Sequence, residues 1–200
     1  MTKAKIINYI LLILIGILGL SSCSNKNQKQ ISIENDSSKV KQDSQLCESP
    51  SFANHFGFPA SLKGYLDLDE GIECSKIVGK PCLIYFSGYS SVDSRRIEMN
   101  LFLDEEIQSL IDDQFVFVSL IKDAKMRLPV NYQVFSELIN DTIKIYGEKS
   151  TYIQNSKFNS DEHPAFYIVN SDGEVLSKPF FYNLSIPDFN FFLEEGLSNY

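Results

Sequence analysis

Between residues 80 and 95 the chain reads Lys80-Pro81-Cys82-Leu83-Ile84-Tyr85-Phe86-Ser87-Gly88-Tyr89-Ser90-Ser91-Val92-Asp93-Ser94-Arg95. Cys82 to Phe86 is an unbroken apolar run bounded by Pro81 and Gly88, the pattern of a central strand covered on both faces. A short turn from Ser87 to Ser90 follows. Ser91 then has the chemistry of an N-cap for a helix through Arg95, Ile97, Met99 and Leu101.

Upstream, Asp67 or Asp69 can cap a helix carrying Ile72, Cys74, Ile77 and Val78, with Gly79 closing it. Downstream, Asp104 caps a helix bearing Ile107, Leu110 and Ile111, and Phe115 to Ile121 is a second buried strand. Strand, helical connection and strand predict a right-handed parallel crossover. Residues 124–146 form an excursion with a hairpin turning at Asn140-Asp141, and a helix follows around Ser150 to Lys157. Ala165 to Val169 is a strand, Asn170 to Gly173 a turn, and Glu174-Val175-Leu176 the expected returning strand. Ser185-Ile186-Pro187-Asp188 opens a last helix whose buried stripe is Phe189, Phe192, Leu193 and Leu197. No internal repeat is visible.

The chain has 200 residues, 44% of them hydrophobic, which suits one globular unit plus an export segment. Lys3 and Lys5 precede an apolar run from Tyr9 to Leu20 that is short for a bilayer span and reads as a signal peptide. Leu20-Ser21-Ser22-Cys23 resembles the lipobox of bacterial lipoproteins, which implies acylation of Cys23 and a membrane anchor. Ser24 after it resembles outer-membrane sorting signals, which favours the outer over the inner membrane and a periplasm-facing domain in the cell envelope. The expected organisation is a signal peptide over 1–22, a lipidated Cys23 with a flexible tether over 23–55, and a folded domain over 56–200. Residues 1–22 hold two of the 18 basic residues and no acidic one, so processing leaves 16 basic against 26 acidic, net −10. An acidic surface without basic-aromatic clusters excludes nucleic acid as a partner.

Cys47, Cys74 and Cys82 remain in an oxidising compartment. Cys82 sits in an apolar strand pattern and reads as an inert core thiol. Cys47 with Cys74 is then a possible disulfide; three free thiols are the alternative, because spacing does not show whether the Cα atoms meet.

From about Gly64 to Leu197 the chain resembles the periplasmic thioredoxin-like domain of DsbD-type thiol:disulfide interchange proteins. That family shows Lys-Pro before the first buried strand, then Phe-x-Gly-x-x-Cys-x-x-Cys-Arg and a Glu shortly after. Here the series is Lys80-Pro81, Phe86-Ser87-Gly88, Ser91-Val92-Asp93-Ser94-Arg95 and Glu98, with Ser91 and Ser94 where both cysteines would stand. Gly147-Glu148-Lys149 and His163-Pro164 match the later landmarks. The resemblance implies a thioredoxin-like α/β/α three-layer sandwich around a mixed sheet, and Pro164 as a cis-proline facing the motif.

Thiol–disulfide exchange needs a thiolate nucleophile and a resolving thiol, and a serine hydroxyl supplies neither. Asp93 places a carboxylate in the first helical turn, where the dipole favours an anion. A hydrolytic role for Ser91 with His163 as base lacks any oxyanion-hole or nucleophile-elbow pattern, and helix capping accounts for Ser91 without it. Asp161, Glu162 and His163 are adjacent on one loop and make a poor metal set, so no metal and no cofactor is expected. The reading is therefore a redox-inactive, membrane-anchored module that binds an extended peptide or an envelope protein through Tyr89, Ser91, His163 and Pro164. The alternative is an atypical thiol-disulfide oxidoreductase of envelope thiol homeostasis or cytochrome c maturation, with Cys74 or Cys47 supplying the thiol.

Overall fold

The computed structural model describes Cys47 and residues 62–200; the signal peptide, Cys23 and, apart from Cys47, the tether lie outside the described residues. Helix α1 (Leu68–Val78) starts where the Asp67 carboxylate accepts the N–H groups of Asp69 and Glu70. It stops at Gly79, whose φ of 67° is the left-handed conformation that a Cβ disfavours. Pro81 then starts β1 (Cys82–Ser87), all six residues of which are buried.

Helix α2 (Val92–Asn100) is capped by Ser91 and α3 (Glu105–Gln114) by Asp104, each side chain accepting backbone N–H groups of the first turn. β2 (Val116–Ile121) follows, again buried throughout, and runs parallel to β1 with Cys82 opposite Val116. The excursion holds a small antiparallel hairpin, β3 (Val134–Ser136) and β4 (Asp141–Ile143), with Asn140 left-handed at φ 49° beside the expected turn. Helix α4 (Tyr146–Phe158) leads to β5 (Ala165–Val169), β6 (Phe180–Phe181) and α5 (Ile186–Ser198). The main sheet has the order β2-β1-β5-β6, with β5 antiparallel to both β1 and β6.

Strand alternation sorts the core into two layers. Leu83, Tyr85, Phe117, Phe166 and Ile168 face Ile97 of α2 and Leu101 just past its end, Ile107 and Ile111 of α3, and Phe189, Phe192 and Leu193 of α5. Cys82, Ile84, Phe86, Val118, Leu120 and Tyr167 face Leu68 and Cys74 of α1 and Ile153 of α4. The result is a three-layer α/β/α sandwich with a mixed sheet. The first layer is rich in aromatics: Tyr85 stacks on Phe166 at 4.6 Å and meets Phe102 edge-on at 5.2 Å, pairs worth roughly 0.5–1.5 kcal/mol each beyond burial.

Two boundaries differ from expectation. Glu174-Val175-Leu176 is not a full returning strand: Val175 makes one isolated bridge to Val169 and Leu176 donates one bond to Ile168, whereas the strand that pairs with β5 is Phe180–Phe181. Pro179 interrupts the run, and the register is decided by Phe180, which packs among Phe166, Phe189 and Phe192 while Val175 stays half exposed. Helix α4 starts a turn before Ser150. Tyr146 is buried with its hydroxyl donating to the Ser119 carbonyl at 2.9 Å, and a Cβ on Gly147 would collide with the Lys122 carbonyl. Lys149 forms a buried ion pair with Asp67, fastening α4 to the start of α1.

Candidate functional site

The C-terminal end of β1 delivers the chain into the loop Gly88–Ser91 and the N-terminus of α2. A carboxylate from beyond β2 shapes that loop: Asp123 accepts the N–H of Tyr89 at 2.7 Å, and the N–H and hydroxyl of Ser90 at 2.7 and 2.6 Å. Partial burial pushes the Asp123 carboxyl up, but the bonds from Ser90 and Tyr89 outweigh it and leave it below the usual carboxylate range. Motif reasoning missed Asp123, because its role depends on the parallel pairing that sets the ends of β1 and β2 side by side.

Both serines of the motif are engaged within the backbone scaffold. Ser91 Oγ accepts the Ser94 N–H at 3.2 Å, and Ser94 Oγ, fully buried, accepts the Gly88 N–H at 3.3 Å. Beneath them the Tyr85 hydroxyl donates to the Ser94 carbonyl at 3.3 Å and lies 3.5 Å from Glu98. Burial raises the Glu98 carboxyl above its ordinary value, and the ion pair with Arg95 at 2.5 Å opposes that shift. Among the described residues neither serine hydroxyl is hydrogen-bonded to a histidine.

Across from α2, the His163–Pro164 peptide is cis. Its approach is held by α4: the Gln154 amide donates to the Glu162 carbonyl at 2.6 Å, and the Lys122 ammonium donates to the carbonyl of Asp161. Pro164 is buried and His163 exposed. Among the described residues, the N–H and C=O of His163 have no backbone hydrogen-bond partner, which leaves an open stretch of backbone just before β5, a strand flanked by β1 and β6.

An open groove of about 440 Å³ lies here, walled by Asp93, by Asp161 to Pro164, and by Phe181 and Tyr182. It brings His163 and Pro164 together with Asp93, the residue between the two serines. Ser91 and Ser94 do not line it, and neither does Tyr89, whose half-exposed ring lies outside the wall. Tyr182 escaped the sequence reading because only the shift of the final strand to Phe180–Phe181 carries it to the groove. Arg96 of α2 stands behind, 3.8 Å from Asp93 and 3.5 Å from the Tyr182 hydroxyl.

The remaining sulfur is elsewhere. Cys82 is wholly buried at the start of β1, its Sγ 3.3 Å from the Gly71 carbonyl, and burial pushes the thiol up to about 12. Five steps of about 3.3 Å along the strand separate it from Ser87, roughly 16 Å. Cys47 and Cys74 are joined in a disulfide with Cα atoms 5.3 Å apart, tying Cys47 to α1. No group of three or more metal-ligating side chains occurs among the described residues.

No family model and no curated protein matches the chain. Among solved structures, it is similar to "DsbH Oxidoreductase" at 12% identity and a TM-score of 0.52, over 72% of this chain and 92% of that one. A thioredoxin from Thermus thermophilus matches at 17% identity and 0.48, over 68% and 86% of the two chains. A thioredoxin-fold protein from Helicobacter pylori matches at 14% identity and 0.46, over 74% and 80%. Identities this low bear on architecture alone, and the architecture is the thioredoxin fold.

Proposed function

We propose that this chain is a redox-inactive interaction module on a thioredoxin scaffold, anchored to a membrane of the bacterial envelope through Cys23 and gripping an extended peptide or partner protein beside Pro164. The observation that carries the reading is the combination of an unpaired His163 backbone with a groove whose neighbouring helix start holds two hydroxyls and no thiol. An extended segment can pair with an open backbone edge without any sulfur chemistry. Neither hydroxyl has a route to disulfide exchange, because an alcohol stays protonated at neutral pH and forms no S–S bond.

The anchor reading rests on Leu20-Ser21-Ser22-Cys23 alone. Palmitate labelling that persists in a Cys23→Ala variant would remove it. The rival reading, exchange chemistry through Cys47 or Cys74, needs the disulfide on α1 to act from a different element than the loop after β1.

Two measurements test the module itself. Insulin disulfide reduction is expected to be absent from the full chain; activity that disappears in Cys74→Ala would transfer the function to that disulfide. Panning a displayed library of extended peptides is expected to enrich binders. His163→Pro, which removes the open N–H, and Phe181→Asp, which alters the groove wall, should each lose them, while His163→Ala should keep them. Enrichment indifferent to both wall and backbone changes would sink the groove.

A further inference from the structure

We propose that the groove beside Pro164 selects basic segments, seating a Lys or Arg side chain of the bound peptide next to Asp93. The inference rests on the groove reading above and names the chemistry of its ligand. Of the three polar residues at the start of α2, the two serines turn inward to cap and brace the loop, and only the acidic one lines the groove. In place of a thiol, the helix end presents a carboxylate to whatever binds opposite His163.

The facing wall has the same sign. Asp161 and Glu162 line the groove, are both exposed, and have no ion pair among the described residues. Lys122 donates to the carbonyl of Asp161 and also feels its carboxylate electrostatically, so the uncompensated charge of this wall lies mainly on Glu162. No Lys or Arg lines the groove. Arg96 approaches Asp93 from outside at 3.8 Å, with both side chains about half exposed, and a pair of that kind yields readily to a competing cation. Phe181 and Tyr182, 38% and 40% exposed, give the third wall two ring faces on which an alkyl-ammonium or guanidinium can rest. The whole chain, at net −8, adds long-range attraction for the same ligand.

Three fluorescein-labelled ten-residue peptides of one Val/Thr/Ser backbone, carrying Lys, Gln or Glu at the same three positions, are titrated with the full chain in low and high salt. The Lys peptide is expected to bind about ten-fold tighter than the Gln peptide, and the Glu peptide more weakly than either, with the preference shrinking several-fold at 0.5 M salt. Asp93→Asn with Glu162→Gln should bring Lys and Gln peptides within about two-fold of each other, with the circular dichroism melt reporting that the fold is kept. Equal binding of Lys and Gln peptides by the unmodified chain overturns the charge selection and leaves the groove standing. A Lys preference undiminished in the double variant also overturns it, since the cation would then sit elsewhere. Binding of none of the three removes the groove reading along with it.

Discussion

Asp123 and Ser90 are bound twice over: one carboxylate oxygen accepts both the backbone N–H of Ser90, at 2.7 Å, and its hydroxyl, at 2.6 Å. The other oxygen takes the Tyr89 N–H. A residue just past the end of β2 thereby sets the path of the loop that leads into α2, and with it the position of Asp93 in the groove. The arrangement makes Asp123 a positioning residue, with consequences that depend on pH.

The Asp123 carboxyl titrates below its ordinary value in the folded protein, because the bonds from Ser90 and Tyr89 outweigh the effect of partial burial. The unfolded chain therefore takes up a proton first as pH falls, and the contribution of Asp123 is complete above about 4 and lost as pH drops through the folded-state value. The carboxylate is largely solvated, so the amount is modest, about 1 kcal/mol after allowance for screening. Urea unfolding from pH 7 to pH 3 should show Asp123→Asn less stable at neutral pH and converging on the parent at the acid end. A constant gap across that range would show that the carboxylate charge is not what holds the loop.

Lys149 and Asp67 form an ion pair with side chains only 7% and 4% exposed, and Asp67 also caps α1. Removing one partner leaves the other charge buried, a loss of about 3–5 kcal/mol. Lys149→Met should therefore lower the thermal midpoint strongly. Asp67→Asn with Lys149→Met should recover much of it, because Asn still caps and no buried charge remains. A double variant as unstable as Lys149→Met alone would contradict this account.

Cys82 is inaccessible and burial has raised its thiol to about 12, so almost none of it is thiolate at pH 8. Iodoacetamide followed by mass mapping should leave Cys82 unmodified in native buffer and modify it fully in guanidinium. Rapid native labelling would mean that the start of β1 opens, and would bring a third sulfur back into consideration for exchange chemistry.

Much of this architecture was readable because its signals are local. The apolar run Cys82 to Phe86, the caps Asp67, Ser91, Asp104 and Ser185, and the closing Gly79 each act within a few residues, and each marks an element that the fold contains. The partner of β5 was not readable in the same way. Val175 and Phe180 both suit a strand, and the choice between them came from a pocket made by Phe166, Phe189 and Phe192, side chains of two other elements.

The groove divides along the same line. The order of residues places Asp93 between Ser91 and Ser94, and the resemblance to the DsbD-type motif implies that these two serines stand where its cysteines would. Only the tertiary structure decided which of the three lines the groove beside His163 and Pro164, that Tyr182 forms its wall, and that Asp123 steers the loop. The physical reason is range: capping and strand propensity are properties of neighbours in the chain, whereas a groove is made by backbones that meet only after the sheet has paired.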